Sequence, residues 1–343
     1  MNFKLAIFTA ISFIFIRNGF TQNISTDSTT NEIKVPVKYD VLKNEQAYNT
    51  GNGKIYIYPK PASFGFLAKA PHDGMKMITT TFSRKSIRPL LLIAASTTAL
   101  LFADQEIADH SQKMCYKMDI QTAEENKTLV ALKLGKKPTT LIKVPQNINT
   151  AFYQLGEGFY GLLIGAGLFT YGKIHHNYRA LSTASQLTES FILMGVGTQL
   201  LKRIAGRETP GEATAPGGKW HLFPSFKKFQ DNTPKYDAFP SGHLSTLMAT
   251  VTILAENYPE KKWIAPVGYS VTGLVGLSMI NNGVHWASDF PLAIGLGYLC
   301  ARQIVKNSRK LLNISPTKKS KKELSYSFNY VNGKMLPGVV YKF

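Results

Sequence analysis

Three short stretches set polar and charged residues at the ends of apolar runs. The first, KRIAGRETP, runs from Lys202 to Pro210. The second is Pro240-Ser241-Gly242-His243, and the third ends in His285 and Asp289, four residues apart. These residue types suit an oxyanion. Gly242 lets backbone N–H groups approach a ligand closely, and a helix starting there turns its positive end toward negative charge. Ser241 adds a hydroxyl donor, and Lys202 and Arg207 add full positive charge. If His285 and Asp289 lie on a helix they share a face. The carboxylate can then hold one imidazole N–H and leave the other ring nitrogen as a nucleophile, while His243 protonates a leaving group. Taken singly, each feature has a plainer reading: a capped turn, a core histidine, a basic helix flank. Their order and common placement at helix ends favour a site.

The elements that must position them are six charge-free apolar runs: Leu90–Ala103, Phe159–Tyr171, Phe191–Leu201, Leu244–Ala255, Ile264–Ile280 and Phe290–Ala301. Each is bounded by polar or charged residues, so each is read as a helix. The three stretches fall between runs three and four or runs five and six. In an antiparallel bundle they meet at one mouth. Residues 22–86 are polar and read as an irregular segment with one strand, KIYIYP. The C-terminal stretch alternates around Asn332-Gly333, a hairpin signal. The expected fold is therefore all-α, a six-helix bundle with a short C-terminal β-hairpin.

The three stretches together resemble the type 2 phosphatidic acid phosphatase and vanadium haloperoxidase superfamily. That family reads Lys, six residues, Arg-Pro; then Pro-Ser-Gly-His; then Ser-Arg, five residues, His, three residues, Asp. The resemblance covers about residues 88–306 and implies a helical bundle of that type. It places phosphate binding on Lys202, Ser241 and Gly242, proton donation on His243, the nucleophile on His285 and its orienting carboxylate on Asp289. It implies a phosphatase acting on a phosphate monoester or a lipid (di)phosphate through a phosphohistidine, without metal or cofactor. The chain departs from the family twice: Thr209 stands where the Arg of Arg-Pro belongs, and Met279 where the Arg of Ser-Arg belongs. A bidentate guanidinium is not replaced by a hydroxyl or a thioether. Arg203, Arg207 or a basic residue of the 219–235 loop is the expected substitute, and Arg207 the best placed. The same departures support two alternatives: a non-catalytic binder of anionic headgroups and, more weakly, a vanadate-dependent haloperoxidase.

Composition bounds the partners. The formal net charge is +19, which suits an anionic surface or a phosphorylated substrate. No basic residues interleave with aromatics in the manner of a nucleic-acid surface. The two cysteines, Cys115 and Cys300, form no disulfide framework and no zinc spacing. Lys4 followed by the apolar Leu5–Ile16 has the shape of a secretory signal over residues 1–22, with an uncleaved anchor as the alternative. A polar segment over 23–87 follows, and a basic tail with the hairpin fills 307–343. The runs are short for spans, but they are apolar all round, and five of the six contain the small residues that let helices meet in lipid. A membrane-embedded bundle is favoured over a soluble exported one. Eight basic residues between Arg302 and Lys322 favour a cytoplasmic tail. Five spans then make the 202–242 loop and the 279–289 turn face outward, with Leu90–Ala103 lying in or on the interface; a soluble periplasmic protein is the alternative.

Overall fold

The computed structural model describes residues 44–50, 54–122, 125–134, 137–313, 323–331 and 334–342. The signal expected over 1–22 lies outside the described residues. The expected strand KIYIYP is β2 (Lys54–Pro59), central in an antiparallel sheet. One neighbour is β1 (Glu45–Asn49), and the other is β5 (Lys310–Asn313), from the far end of the chain. Ile57 and Tyr58 of β2 are fully buried.

Between the outer strands the chain is mostly helical. The helices are α1 (Gly65–Thr81), α2 (Ile87–Lys117), α3 (Ile148–Leu155), α4 (Gly158–Ile174), α5 (Tyr178–Ala205), α6 (Phe226–Asp231), α7 (Gly242–Asn257), α8 (Ile264–Asn281) and α9 (Phe290–Ser308). Each of the six expected runs lies in one of them. Two hairpins complete the described chain: β3 (Asn126–Leu134) with β4 (Lys137–Pro145), and the expected C-terminal pair, β6 (Glu323–Val331) with β7 (Lys334–Lys342). The segment 23–87 is less irregular than expected, since it also holds α1.

The runs underestimate the helices for a physical reason. The first half of α5 buries Ser182, Thr183, Gln186, Glu189 and Ser190, so it is helical without being apolar. Asn177 starts that helix by accepting a hydrogen bond from Ala180 N at 2.9 Å. Gly206 ends it in the left-handed region (φ 55°), donating to Lys202 O at 2.9 Å. A Cβ at Gly206 would lie 2.0 Å from His221 O, so only glycine fits this turn.

Helix α7 packs against α4, α5, α8 and α9. Its approach to α9 is close: a Cβ on Gly297 would lie 2.3 Å from Ser245 O. This crossing fixes the start of α7 beside the start of α9, and those two starts carry the Ser241 and Asp289 stretches. The apolar cluster of Leu244, Val275, Met279 and Ala293 packs under them.

Among the described residues, two helical segments, Arg84–Lys117 and Ile264–Asn281, are long and apolar enough to cross a membrane, with mean hydropathies of 1.6 and 1.3 over their best windows. The first contains the run Leu90–Ala103, which was expected along the interface. That expectation rested on the odd number of spans a cytoplasmic tail requires; the helix itself, α2, continues beyond the apolar run through polar residues to Lys117.

Candidate active site

The C-terminal end of α5, the loop to α7, and the turn between α8 and α9 converge. Lys202, in the last turn of α5, is buried. Its Nζ lies 3.9 Å from where a Cβ on Gly242 would stand and donates to Asp237 Oδ2 at 2.8 Å. Ser241 caps α7, its Oγ accepting from Leu244 N at 3.3 Å. Its backbone N–H reaches Asp289 O at 3.4 Å, which ties the second stretch to the third. His243 sits in the first turn of α7, with its ring 5.0 Å from that of Tyr153. Burial above all, then the neighbouring His285 and Lys202, holds its imidazole down at about 3.

His285 and Asp289 are not on a helix, contrary to the expected shared face. His285 follows the left-handed Gly283 (φ 65°), and Asp289 closes a short 3-10 turn, Ala287–Asp289. The turn still brings them together, with His285 Nδ1 3.4 Å from Asp289 Oδ2. The shorter contact of Nδ1 is with Ala238 O at 2.7 Å. A carbonyl can only accept, so Nδ1 carries the proton and Nε2 the lone pair. Asp289 is itself pinned by Trp286 N at 2.8 Å on Oδ2 and by Arg207 at 2.6 Å on Oδ1.

Arg207 is the second correction. Expected to grip phosphate, it is wholly buried, and all four of its Nη hydrogens are used. One Nη donates to Ser288 Oγ (2.7 Å) and Asp289 Oδ1 (2.6 Å); the other donates to Asp104 Oδ2 (2.6 Å) and Gly217 O (2.7 Å). No Nη hydrogen is left for a substrate. Asp104, on α2, also accepts from Ser288 N at 3.0 Å and Ser288 Oγ at 2.5 Å. Arg207 and Asp104 therefore hold the Ser288–Asp289 turn rather than a ligand. Arg203 is likewise occupied, lying 3.5 Å over the Phe229 ring. Met279, in the place of a family arginine, is fully buried with its sulfur 3.5 Å from Ser241 Oγ. Thr209 precedes the short turn Pro210–Glu212 at its N-cap position, with no side-chain hydrogen bond to it.

Sequence reasoning missed Asp104, Asp237 and Glu208. Asp104 breaks the end of an otherwise apolar run, the one local signal it gives. Glu208 accepts from Thr214 N at 2.8 Å, Lys219 N at 3.0 Å and His221 Nε2 at 2.9 Å. Burial alone would raise its pKa, but these donors hold it down at about 2. It organises the loop that covers Arg207. Among the described residues no group of three or more His, Cys, Asp or Glu is placed to hold a metal ion.

Comparison with known proteins bears on this arrangement. A lipid A 1-phosphatase of Porphyromonas gingivalis is 33% identical over 76 residues, 22% of this chain and 17% of that protein. The chain thus matches about a sixth of that relative's length. A crystal structure of a transmembrane PAP2 type phosphatidylglycerolphosphate phosphatase from Bacillus subtilis superposes loosely, with 16% identity and a TM-score of 0.36 over 69% of this chain and 92% of that one. The family model of the PAP2 superfamily matches residues 183–311, a range that holds Lys202, Ser241, Gly242, His243, His285 and Asp289 but not Asp104. That segment of the chain is similar to the PAP2 superfamily.

Proposed function

We propose that the chain is a membrane-embedded phosphatase that cleaves a phosphate monoester or lipid (di)phosphate through a phosphohistidine on His285. The observation that carries this reading is the 2.7 Å contact of His285 Nδ1 with Ala238 O, which puts the lone pair on Nε2. Nε2 attacks phosphorus, the P–O ester bond breaks, and the leaving oxygen takes a proton from His243. The phosphate's negative charge beside His243 opposes the burial that lowers its pKa, so substrate binding favours the imidazolium the step requires. Water then attacks the phosphohistidine, with the neutral His243 accepting its proton, and phosphate leaves. Lys202, Ser241 and the backbone at Gly242 hold the transferring oxygens, where fixed donors stabilise developing charge. The two span-capable helices support the membrane assignment, and the site is read as facing outward.

A competing reading, binding without turnover, draws on Asp237 occupying Lys202 and on Met279 packing against Ser241. One experiment separates them. Purified protein in nanodiscs is offered a panel of phosphate esters, and the denatured protein is assayed for acid-labile, base-stable phosphate. Turnover and labelling that both vanish in His285→Ala, with phosphate binding retained, fit the phosphatase. Binding that is equal in the two proteins, with no turnover in either, fits the binder.

A further inference from the structure

Helix α5 has two faces near its C-terminal end. Met194, Thr198 and Lys202 recur every fourth residue and are buried. Val196, Leu200 and Ile204 recur on the opposite face and are exposed. This apolar stripe does not stop where the helix does. Phe223 sits against its end, donating its N–H to Ile204 O at 3.1 Å, and the Arg203 guanidinium lies 5.2 Å over the Phe226 ring. Leu222, Phe223 and Phe226 are 66%, 71% and 73% exposed. We infer that Leu222, Phe223 and Phe226 form an anchor that dips into the headgroup boundary of a bilayer, and that Lys219, Lys227 and Lys228 seat it on anionic lipid. The inference rests on the membrane part of the proposed function and not on catalysis.

The loop is held open by its own backbone. Lys219 N donates to Glu208 Oε2 at 3.0 Å, and His221 N to Gly206 O at 2.9 Å. Phe223 keeps φ at 53°, a left-handed conformation that bulky residues rarely adopt. These ties point the side chains outward instead of letting them fold back on the bundle. A contiguous apolar patch left outside in this way marks a contact surface. Two observations identify the contact as a bilayer. The stripe from Val196 to Ile204, about 12 Å of helix, leads into the patch, so one lipid phase covers both. The flanks are basic: Lys219, Lys227 and Lys228 are exposed, and Asp231 is the one acidic residue from 219 to 231. Aromatic and aliphatic side chains bordered by lysines are the pattern of a segment lying in a membrane interface. Trp220, 40% exposed, adds a residue type enriched at that depth.

The experiment places the full chain in nanodiscs whose lipids carry bromine, which quenches tryptophan, either near the headgroup or near the end of the acyl chains. Trp220→Phe and Trp263→Phe leave the buried Trp286 as background. Phe223→Trp in that protein should lose about a third or more of its added emission to the shallow bromines and less to the deep ones, since such a segment enters by about 5–10 Å. Lys227→Glu with Lys228→Glu should weaken that quenching in phosphatidylglycerol and leave it unchanged in phosphatidylcholine. Leu200→Trp, one turn back along the stripe, reports whether the stripe itself meets lipid. Quenching at Leu200→Trp with none at Phe223→Trp overturns the anchor and leaves the membrane reading standing; quenching at neither overturns both. An unquenched Phe223→Trp, together with an oligomeric state that changes in Phe223→Ser with Phe226→Ser, overturns the anchor and assigns the patch to a second copy. Charge reversal without effect in phosphatidylglycerol overturns the role of the lysines. None of these readings needs turnover, so a protein that hydrolyses no phosphate ester fails the catalytic reading and still tests the anchor.

Discussion

Lys202 and Arg207 lie five residues apart and both bring positive charge to the same end of the bundle, yet they do different work. The Arg207 side chain and its partners Asp104 and Asp289 are all fully buried. Lys202 is paired with one carboxylate, that of Asp237, which keeps 27% of its side chain exposed. The first set is a closed knot with its Nη donors spent. The second is a pair in which one member can move aside for a phosphate. Within these two sets, two cations meet three carboxylates, so an anion on Lys202 requires Asp237 to yield. The number of donors a charge still has free decides its role, more than its distance from His285 along the chain.

The largest expected effect tests the knot. Arg207→Ala leaves two buried carboxylates facing each other, and breaking a buried pair in this way costs about 3–5 kcal/mol. Chemical denaturation should show a loss of that size, with activity falling because the Ser288–Asp289 turn loosens. Asp104→Asn should act in the same direction by about 1–3 kcal/mol, since Arg207 keeps Asp289. As a positioning residue it should also lower kcat more than it raises KM. An Arg207→Ala protein of wild-type stability and weakened phosphate binding would return Arg207 to the phosphate.

Lys202 should behave oppositely. Lys202→Ala should lower kcat/KM about 100-fold, the scale of one lost charge-stabilising donor, with little change in the denaturation midpoint. Asp237→Asn should improve binding of phosphate or vanadate by about tenfold, as an intramolecular competitor for Nζ is neutralised. The paired measurement is inhibition by inorganic phosphate in the two variants. A weaker inhibitor constant in Asp237→Asn would show that Asp237 orients Lys202 instead of competing for it.

These contrasts also mark what was legible in the sequence. Ser241, Gly242, His243, His285 and Asp289 could be found because each set is contiguous or nearly so, and a turn or helix start keeps it together whatever the rest of the chain does. The C-terminal hairpin was legible for the same reason: its two strands, Glu323–Val331 and Lys334–Lys342, are close in sequence and flank a turn signal. Asp104 was not, because it meets Arg207 across 103 residues, and no local rule links them. Arg207 looked like a loop cation free to swing because its carboxylate partners are distant or belong to another motif. The polar half of α5 was invisible to a search for apolar runs, since its buried serines, threonine and glutamine bond to one another or to the helix backbone.

The smallest effect concerns His243, which belongs to neither the knot nor the pair but feels Lys202. Its imidazole is held down at about 3, against an ordinary value of about 6.5. The unfolded chain therefore takes up a proton as pH falls below about 6.5, and the folded chain does not until about 3. Stability contributed by the neutral, buried ring is fully present above about 6.5 and is lost as pH falls through that window. His243→Gln removes this titration. Between pH 7 and 5 the wild type should lose about 2 kcal/mol more stability than the variant, read from denaturation midpoints at each pH. Bound phosphate should shrink the difference, because its negative charge raises the folded-state pKa toward the ordinary value. Identical pH profiles for the two proteins would mean that His243 titrates normally. It would then already be charged in the free protein at mildly acidic pH, and proton donation would need no help from the substrate.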